Sequence, residues 1–257
     1  MSKNVFRTTS LALVLASSAL AAPTFAEEYN SDWSHQVGVT GFLFGMEGDA
    51  GVKGITAEMD YGIEDVVGDL EGALTLLVQG NNKQYGYWLS YEYVELGDDI
   101  KRADGPLFPD ATFKGKADFA TEIVDGGLSY FISDNVELIG GLRYWNVEED
   151  FRLFISSPHL PDTVQFVESV DESWTDVFGG VRVSVPLGDN LRLNLRGDIG
   201  AGDSDSSYQF LGMLAYDLND CWTTSAGVRY LAVDYAKDGF TFDMRMAGFE
   251  VAAMYNF

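Results

Sequence analysis

From Trp33 to the last residue, apolar and polar side chains alternate with a period of two, and helical periodicity is nearly absent. In Leu191–Gly200, Leu191, Leu193, Leu195 and Ile199 take one parity while Arg192, Asn194, Arg196 and Asp198 take the other. A strand sends alternate side chains to opposite faces, so one face here is oily and the other charged. The same split recurs along Tyr85–Tyr93, Val136–Trp145, Asp176–Val185 and Tyr208–Asp217. The pattern predicts ten strands: Trp33–Met46, Gly72–Asn81, Gln84–Leu96, Asp118–Ile132, Val136–Asp150, Ser173–Val185, Leu191–Gly202, Ser207–Leu218, Trp222–Asp234 and Thr241–Phe257.

The connections alternate in length. Asn81–Lys83, Ser133–Asn135, Pro186–Asn190 and Asn219–Cys221 are tight turns of residues that tolerate turn dihedrals. Between them lie the longer links Glu47–Glu71, Gly97–Ala117 and Phe151–Glu172, then two brief ones at Asp203–Ser206 and Tyr235–Phe240. Short turns on one side and longer loops on the other are how a transmembrane barrel is built. Tyrosine and tryptophan gather near the ends of the oily faces, as interfacial girdles require. Strands of ten or more residues also exceed the usual soluble strand. Lipid forbids an unpaired edge, so the sheet must close on itself. The expected fold is therefore all-β: a closed antiparallel transmembrane β-barrel of about ten strands, with eight or twelve also open. The oily face meets hydrocarbon.

One helical signal interrupts this pattern. In Tyr61–Leu70, Ile63, Val66, Val67 and Leu70 recur at i, i+3, i+4 and i+7, predicting a short helix in the first outer loop. Two turns are not stable alone in water, so the stripe must dock: over the barrel mouth, in the lumen as a plug, or on the membrane. Its acidity disfavours the last. The preceding "GITAEMDYG" could form an extra hairpin arm.

The chain begins with an export signature. Lys3 and Arg7 precede the apolar run Leu11–Ala22, and Thr24–Ala26 has small residues where a signal peptidase reads, so residues 1–26 are expected to be cleaved. Residues 27–257 then form one barrel domain, with no linker or composition break. Removing the signal takes the formal charge from −24 to −26, which excludes nucleic acid as a partner by repulsion of phosphates. Cys221 is the only cysteine, so no intrachain disulfide can form.

The terminal stretch "FEVAAMYNF" alternates Phe249, Val251, Ala253, Tyr255 and Phe257 and stops on phenylalanine. Together with the preceding "GVRYLAVDYAKDGFTFDMRMAG", it resembles the last hairpin of small outer-membrane barrels of the OmpA/OmpW-like superfamily. The resemblance implies outer-membrane localisation and recognition by the barrel assembly machinery through Phe249, Val251, Tyr255 and Phe257. It transfers no functional residue, because that superfamily spans structural proteins, pores, adhesins and a few enzymes. Its best-known members have eight strands, fewer than the ten read here. Arg245 shares the parity of lipid-facing Phe249, so it must lie beyond the apolar band or be turned inward by a bulge near Ala247.

Inward parity supplies Arg143, Arg182, Arg192, Arg196 and Arg229 against Glu92, Asp125, Glu137, Asp176, Asp198 and Asp217. Nearly balanced charge fits a network of ion pairs filling a narrow lumen; the alternative is a small-solute pore with opposite charges facing across it. Catalysis has little to work with, since the only histidines are His35, at an interfacial strand start, and His159 in the proline-bracketed loop "SSPHLPD". Asp203, Asp205 and Ser206 lack the further ligands of a calcium loop, so no metal is assigned, and no cofactor is implied. The expectation is a non-enzymatic outer-membrane protein with a structural, binding or limited-permeability role. A solute channel is the alternative and a membrane-embedded hydrolase a second. The acidic outer segments Glu47–Glu71 and Glu148–Glu172 would meet lipopolysaccharide phosphates through divalent cations, and the four bases of Gly97–Ala117 would meet them directly.

Overall fold

The computed structural model describes residues 33–52, 55–105, 108–156 and 164–257, so the signal at 1–26 and His159 lie outside the described residues. The alternation resolves into β1 (Ser34–Val52), β2 (Ile55–Tyr61), α1 (Ile63–Asp69), β3 (Leu70–Asn81) and β4 (Tyr85–Gly105). There follow β5 (Phe108–Ser133), β6 (Val136–Ser156), β7 (Val164–Pro186), β8 (Leu191–Gly202), β9 (Ser206–Asn219), β10 (Trp222–Lys237) and β11 (Phe240–Asn256). All neighbours run antiparallel, and β1 also bonds to β11, which closes the sheet. Ten strands form the wall, and β2 is an extra strand on the outer half of β1. Among the described residues no helix is long and apolar enough to cross a membrane.

The two faces fall as their parity requires. Outward side chains include Leu128 at 71% exposure, Ile199 at 68% and Val177 at 63%, whereas inward Arg143, Asp176 and Trp145 are at 0%. An exposed apolar band running around the ten wall strands is stable only against hydrocarbon. Near the turns that band gives way to aromatics: Tyr85 faces Tyr130 at 5.6 Å and Trp222 meets Tyr255 edge-on at 5.3 Å. At the other rim Tyr208 stacks on Tyr230 at 6.0 Å.

The assembly residues take the same outer face. Phe249, Val251, Tyr255 and Phe257 are all exposed, and Phe257 exchanges backbone hydrogen bonds with His35 at the seam. Arg245 points outward with its guanidinium 3.9 Å from Asp243, and the β10–β11 register runs past it without a shift. Its outward position thus needs no bulge. The outer turn between β10 and β11 is Asp238–Gly239, where both residues hold positive φ (51° and 90°), as the mirror-image hairpin turn demands.

Two expectations about the outer side need correction. Gly97–Ala117 and Phe151–Glu172 are not loops for most of their length: β4 pairs with β5 out to Gly105↔Phe108, and β6 pairs with β7 out to Ile155↔Val164. The oily alternation that marks a strand fades along these stretches of sequence while backbone pairing continues. The segment Glu47–Glu71 holds the outer end of β1, the arm β2 and α1. The apolar stripe of that segment is split between environments: Val66 is buried in the core at 5% exposure, Ile63 is half-buried, and Val67 and Leu70 are exposed. Leu70 is already the first residue of β3. The helix is therefore part of the wall, with one residue reaching inward.

Small inward residues make room for large ones. A Cβ on Gly127 would lie 2.7 Å from Cη2 of Trp88, and one on Gly180 would lie 2.7 Å from Cβ of Asp198. The assignment of faces is tested by Leu142→Arg, which puts a charge on the outward face about halfway up the band. Urea unfolding in lipid vesicles should show a loss of about 2–4 kcal/mol.

Candidate functional site

The lumen is layered along its axis. On the side of the short turns lies a polar vestibule of about 450 Å³, lined by Gln36, Gln79, Arg192, Asn194 and Thr223 among others. Gln79 donates to Gln36 at 2.6 Å, and Gln36 donates to Asn256 at 2.6 Å, so a belt of amides crosses the seam. Arg192 forks onto both carboxylate oxygens of Asp217, which also accepts from Thr223 Oγ1 at 2.7 Å. Arg182 reaches Glu137 at 3.4 Å.

The floor of the vestibule is a buried ion network. Arg143 contacts Asp125 and Asp198, each at 2.9 Å, while Arg196 contacts the same two carboxylates at 3.1 and 2.7 Å. Two guanidiniums and two carboxylates thus close a ring across strands β5, β6 and β8. Trp88 Nε1 donates to Asp125 at 2.6 Å, and its ring lies under Arg182 and Arg196 at 4.9 and 5.1 Å. Phe178 receives Arg143 and Arg196 at 4.9 and 5.3 Å. Stacking on aromatic faces suits arginine, whose weakly hydrated planar cation loses little on leaving water. A second cluster centres on Arg229, which meets Glu92 at 2.7 Å, Glu250 at 3.6 Å and Gln209 Oε1 at 2.9 Å.

Above the network the lumen turns apolar. Trp145 stacks on Trp174 at 5.6 Å, and Trp174 on Tyr235 at 4.2 Å. Phe242, Met244, Val147 and Val233, each at 0–1% exposure, fill the space around them.

Ten of the eleven residues read as a lumen network enter its ion pairs. Asp176 is the exception and corrects the expectation. It belongs to no ion pair among the described residues, and its carboxylate accepts from Ser204 N at 3.0 Å and Ser204 Oγ at 2.8 Å. It anchors the connection 203–205 from below. In the same connection Asp203 accepts from Thr175 N at 3.1 Å. Sequence reasoning missed Glu250 because the last strand was read for its oily positions alone, and left out Gln209 of β9 because its inward face was read for charged residues only. His35 Nδ1 lies 2.9 Å from Tyr87 Oη, and its ring packs against Trp33 and Phe257 at the rim. No group of three or more metal-ligating side chains occurs among the described residues.

This chain has the architecture of a small outer-membrane β-barrel. No family model matches the sequence, and no curated protein does. Several solved structures are similar at low identity. The translocator domain of the autotransporter NalP from Neisseria meningitidis is 12% identical over 90% of each chain, with a TM-score of 0.47. The outer membrane protease OmpT from Escherichia coli is 12% identical over 89% of this chain and 97% of its own, also at 0.47. The attachment invasion locus protein Ail of Yersinia pestis is 14% identical over 88% of this chain and 97% of its own, at 0.36. At such identities the similarity concerns the fold.

Removing one member of a buried charge network strands its partners. Arg143→Met should lower stability by about 3–5 kcal/mol in denaturant unfolding, because Asp198 and Asp125 stay buried with half their cationic contacts gone. Arg192→Met, at the wetter end of the lumen, should cost less than a third of that.

Proposed function

We propose that this protein is a non-enzymatic outer-membrane barrel with a closed lumen, serving a structural or binding role rather than conducting solutes. One observation carries the proposal: the ion network and the aromatic layer lie one above the other, each with members at 0% exposure. A selectivity ring would leave charge of one sign lining water. Here Arg143 and Arg196 are balanced by Asp125 and Asp198 at contact distance, so the charge is used for closure. The stacking of His35 on Trp33 and Phe257 at the rim supports an interfacial role for it.

Its surroundings would be outer-membrane lipid and lipopolysaccharide, reached through the assembly machinery by the exposed terminal strand. Glu47, Asp49, Asp60, Glu148 and Asp150 are exposed toward the outer end of the barrel. They would share divalent cations with lipopolysaccharide phosphates, since acid and phosphate repel unless a hard cation bridges them.

In planar bilayers the refolded protein should show no resolvable conductance steps; sustained single-channel steps in the wild type would overturn the closed-lumen reading. Calcium should raise its thermal midpoint more in lipopolysaccharide bilayers than in zwitterionic detergent. The double variant Glu148→Gln/Asp150→Asn should shrink that difference, and an unchanged difference would remove the cation bridge.

A further inference from the structure

β1 changes neighbours part-way along its length. From Ser34 to Val39 it pairs with β3, ending at Val39↔Leu76, and from Met46 to Val52 it pairs with β2, beginning at Met46↔Tyr61. Residues 40–45 pair with β11 on one side and with no strand on the other, and Gly72, Ala73, Leu74 and Thr75 of β3 have β4 as their strand partner. The wall therefore has a window. Its lower sill is the β1–β3 ladder. At its upper end is the turn into α1, where Gly45 lies so close to Tyr61 O that a Cβ would be 2.9 Å away.

A cavity of about 220 Å³ lies against this window, and both of its edges contribute to the lining: Thr40–Phe42 from β1 and Ala73–Thr75 from β3. Phe119, Ile123, Leu231 and Met246 form its inner walls. Ala73 is at inward parity yet exposed, as expected beside a space that no side chain fills. Outside the window stand Val39, Leu43, Leu74 and Leu76, each 44–52% exposed on the hydrocarbon-facing side. Two polar groups mark the interior. Thr121 Oγ1 is buried with no hydrogen-bond partner, on a residue at 7% exposure. The Glu92 carboxylate, held by Arg229, separates this chamber from the vestibule and lines both.

We infer that the side chamber binds a small uncharged apolar molecule carrying one hydroxyl or carbonyl group, and that the molecule arrives from the membrane through the window between β1 and β3. The apolar walls supply the driving force. The Thr121 hydroxyl, otherwise left unsatisfied at a cost, supplies one hydrogen bond. The Glu92 carboxylate repels an anionic head group. Since an apolar cavity of about 150 Å³ accepts benzene, this one has room for a substituted single ring. Backbone groups along the window edges lack strand partners, so an amphiphile passing between them meets hydrogen-bonding groups as well as hydrocarbon. The site goes beyond the closed-lumen reading and is independent of it: conductance tests one and ligand retention the other.

The test uses the mature barrel in lipid nanodiscs and equilibrium dialysis with labelled 4-ethylphenol, ethylbenzene and 4-ethylbenzoate. Ala73→Trp, which fills the chamber, is the reference that cancels partitioning into lipid. Wild type should retain up to one more 4-ethylphenol per barrel than Ala73→Trp, with 4-ethylbenzoate showing no such excess. Equal retention by the two proteins would overturn the site. Thr121→Val keeps the shape and removes the hydroxyl, so the preference for 4-ethylphenol over ethylbenzene should fall about fivefold, the worth of one net hydrogen bond; an unchanged preference would overturn the role of Thr121. For the route, Gly41→Cys and Leu74→Cys are introduced together in a Cys221→Ser background. Oxidation should join the window edges and slow loading at least tenfold relative to the reduced protein. Loading at the same rate in the cross-linked barrel would overturn access through the window.

Discussion

Every strand of this molecule presents a row of amides and carbonyls to a medium that cannot hydrogen-bond them, and that deficit organises the rest. Closure of β1 onto β11 joins the two end strands of the wall across sixteen successive residue pairs, from Gln36↔Asn256 to Gly51↔Thr241, and leaves strand edges unpaired along the window and the outer arm β2. Once the sheet is closed, its two faces have different solvents. The outer face must be oily throughout, and polar side chains have only the lumen. A wall of ten strands leaves a narrow lumen, so those polar groups are pressed against one another and must pair. The arginine–aspartate ring is thus a consequence of closure: inward charges have neither bulk water nor lipid to answer them and answer one another.

The lumen manages this with unlike materials stacked in sequence. At the short-turn end, where water reaches, amides and an exposed Arg192–Asp217 pair suffice. Deeper, each guanidinium is matched by carboxylates and covered by Trp88, Phe178 or Phe42, the last 5.0 Å from Arg229. Beyond that the tryptophan stack takes over and charge disappears. A buried network of this kind adds specificity more than stability, since the same volume filled with hydrocarbon would hold the barrel as firmly. What it enforces is register, because sliding β6 by one residue would send Arg143 into lipid.

Much of this was legible because a period of two encodes a face directly. Once the oily parity was assigned to lipid, Arg143, Arg196, Asp125 and Asp198 were known to point inward, and the structure brings them together. Which of them touch was not legible. Contact across a lumen depends on strand tilt and stagger, which link residues as distant in sequence as Glu92 and Arg229. The outer hairpins escaped notice because alternation is a signature of unequal solvents on the two faces, and the sequence loses it in Gly97–Ala117 and Phe151–Glu172 while backbone pairing goes on. Asp176 misled for a related reason: inward parity says where a side chain points, but its carboxylate is spent on the backbone of the next connection. The helical stripe of α1 was visible in Ile63, Val66 and Val67. Its place in the wall was not, since nothing in a heptad tells which sheet edge it interrupts.

The unequal partnership of β1 also bears on how the barrel would come apart under load. The seam where the two ends of the chain meet is stitched along sixteen residue pairs, whereas β1 holds β3 through only six, from Ser34↔Asn81 to Val39↔Leu76. A lateral force would therefore tear first between β1 and β3, leaving the first and last strands zipped together. In this barrel the first and last strands form the durable joint, and the hinge lies on the other flank of β1.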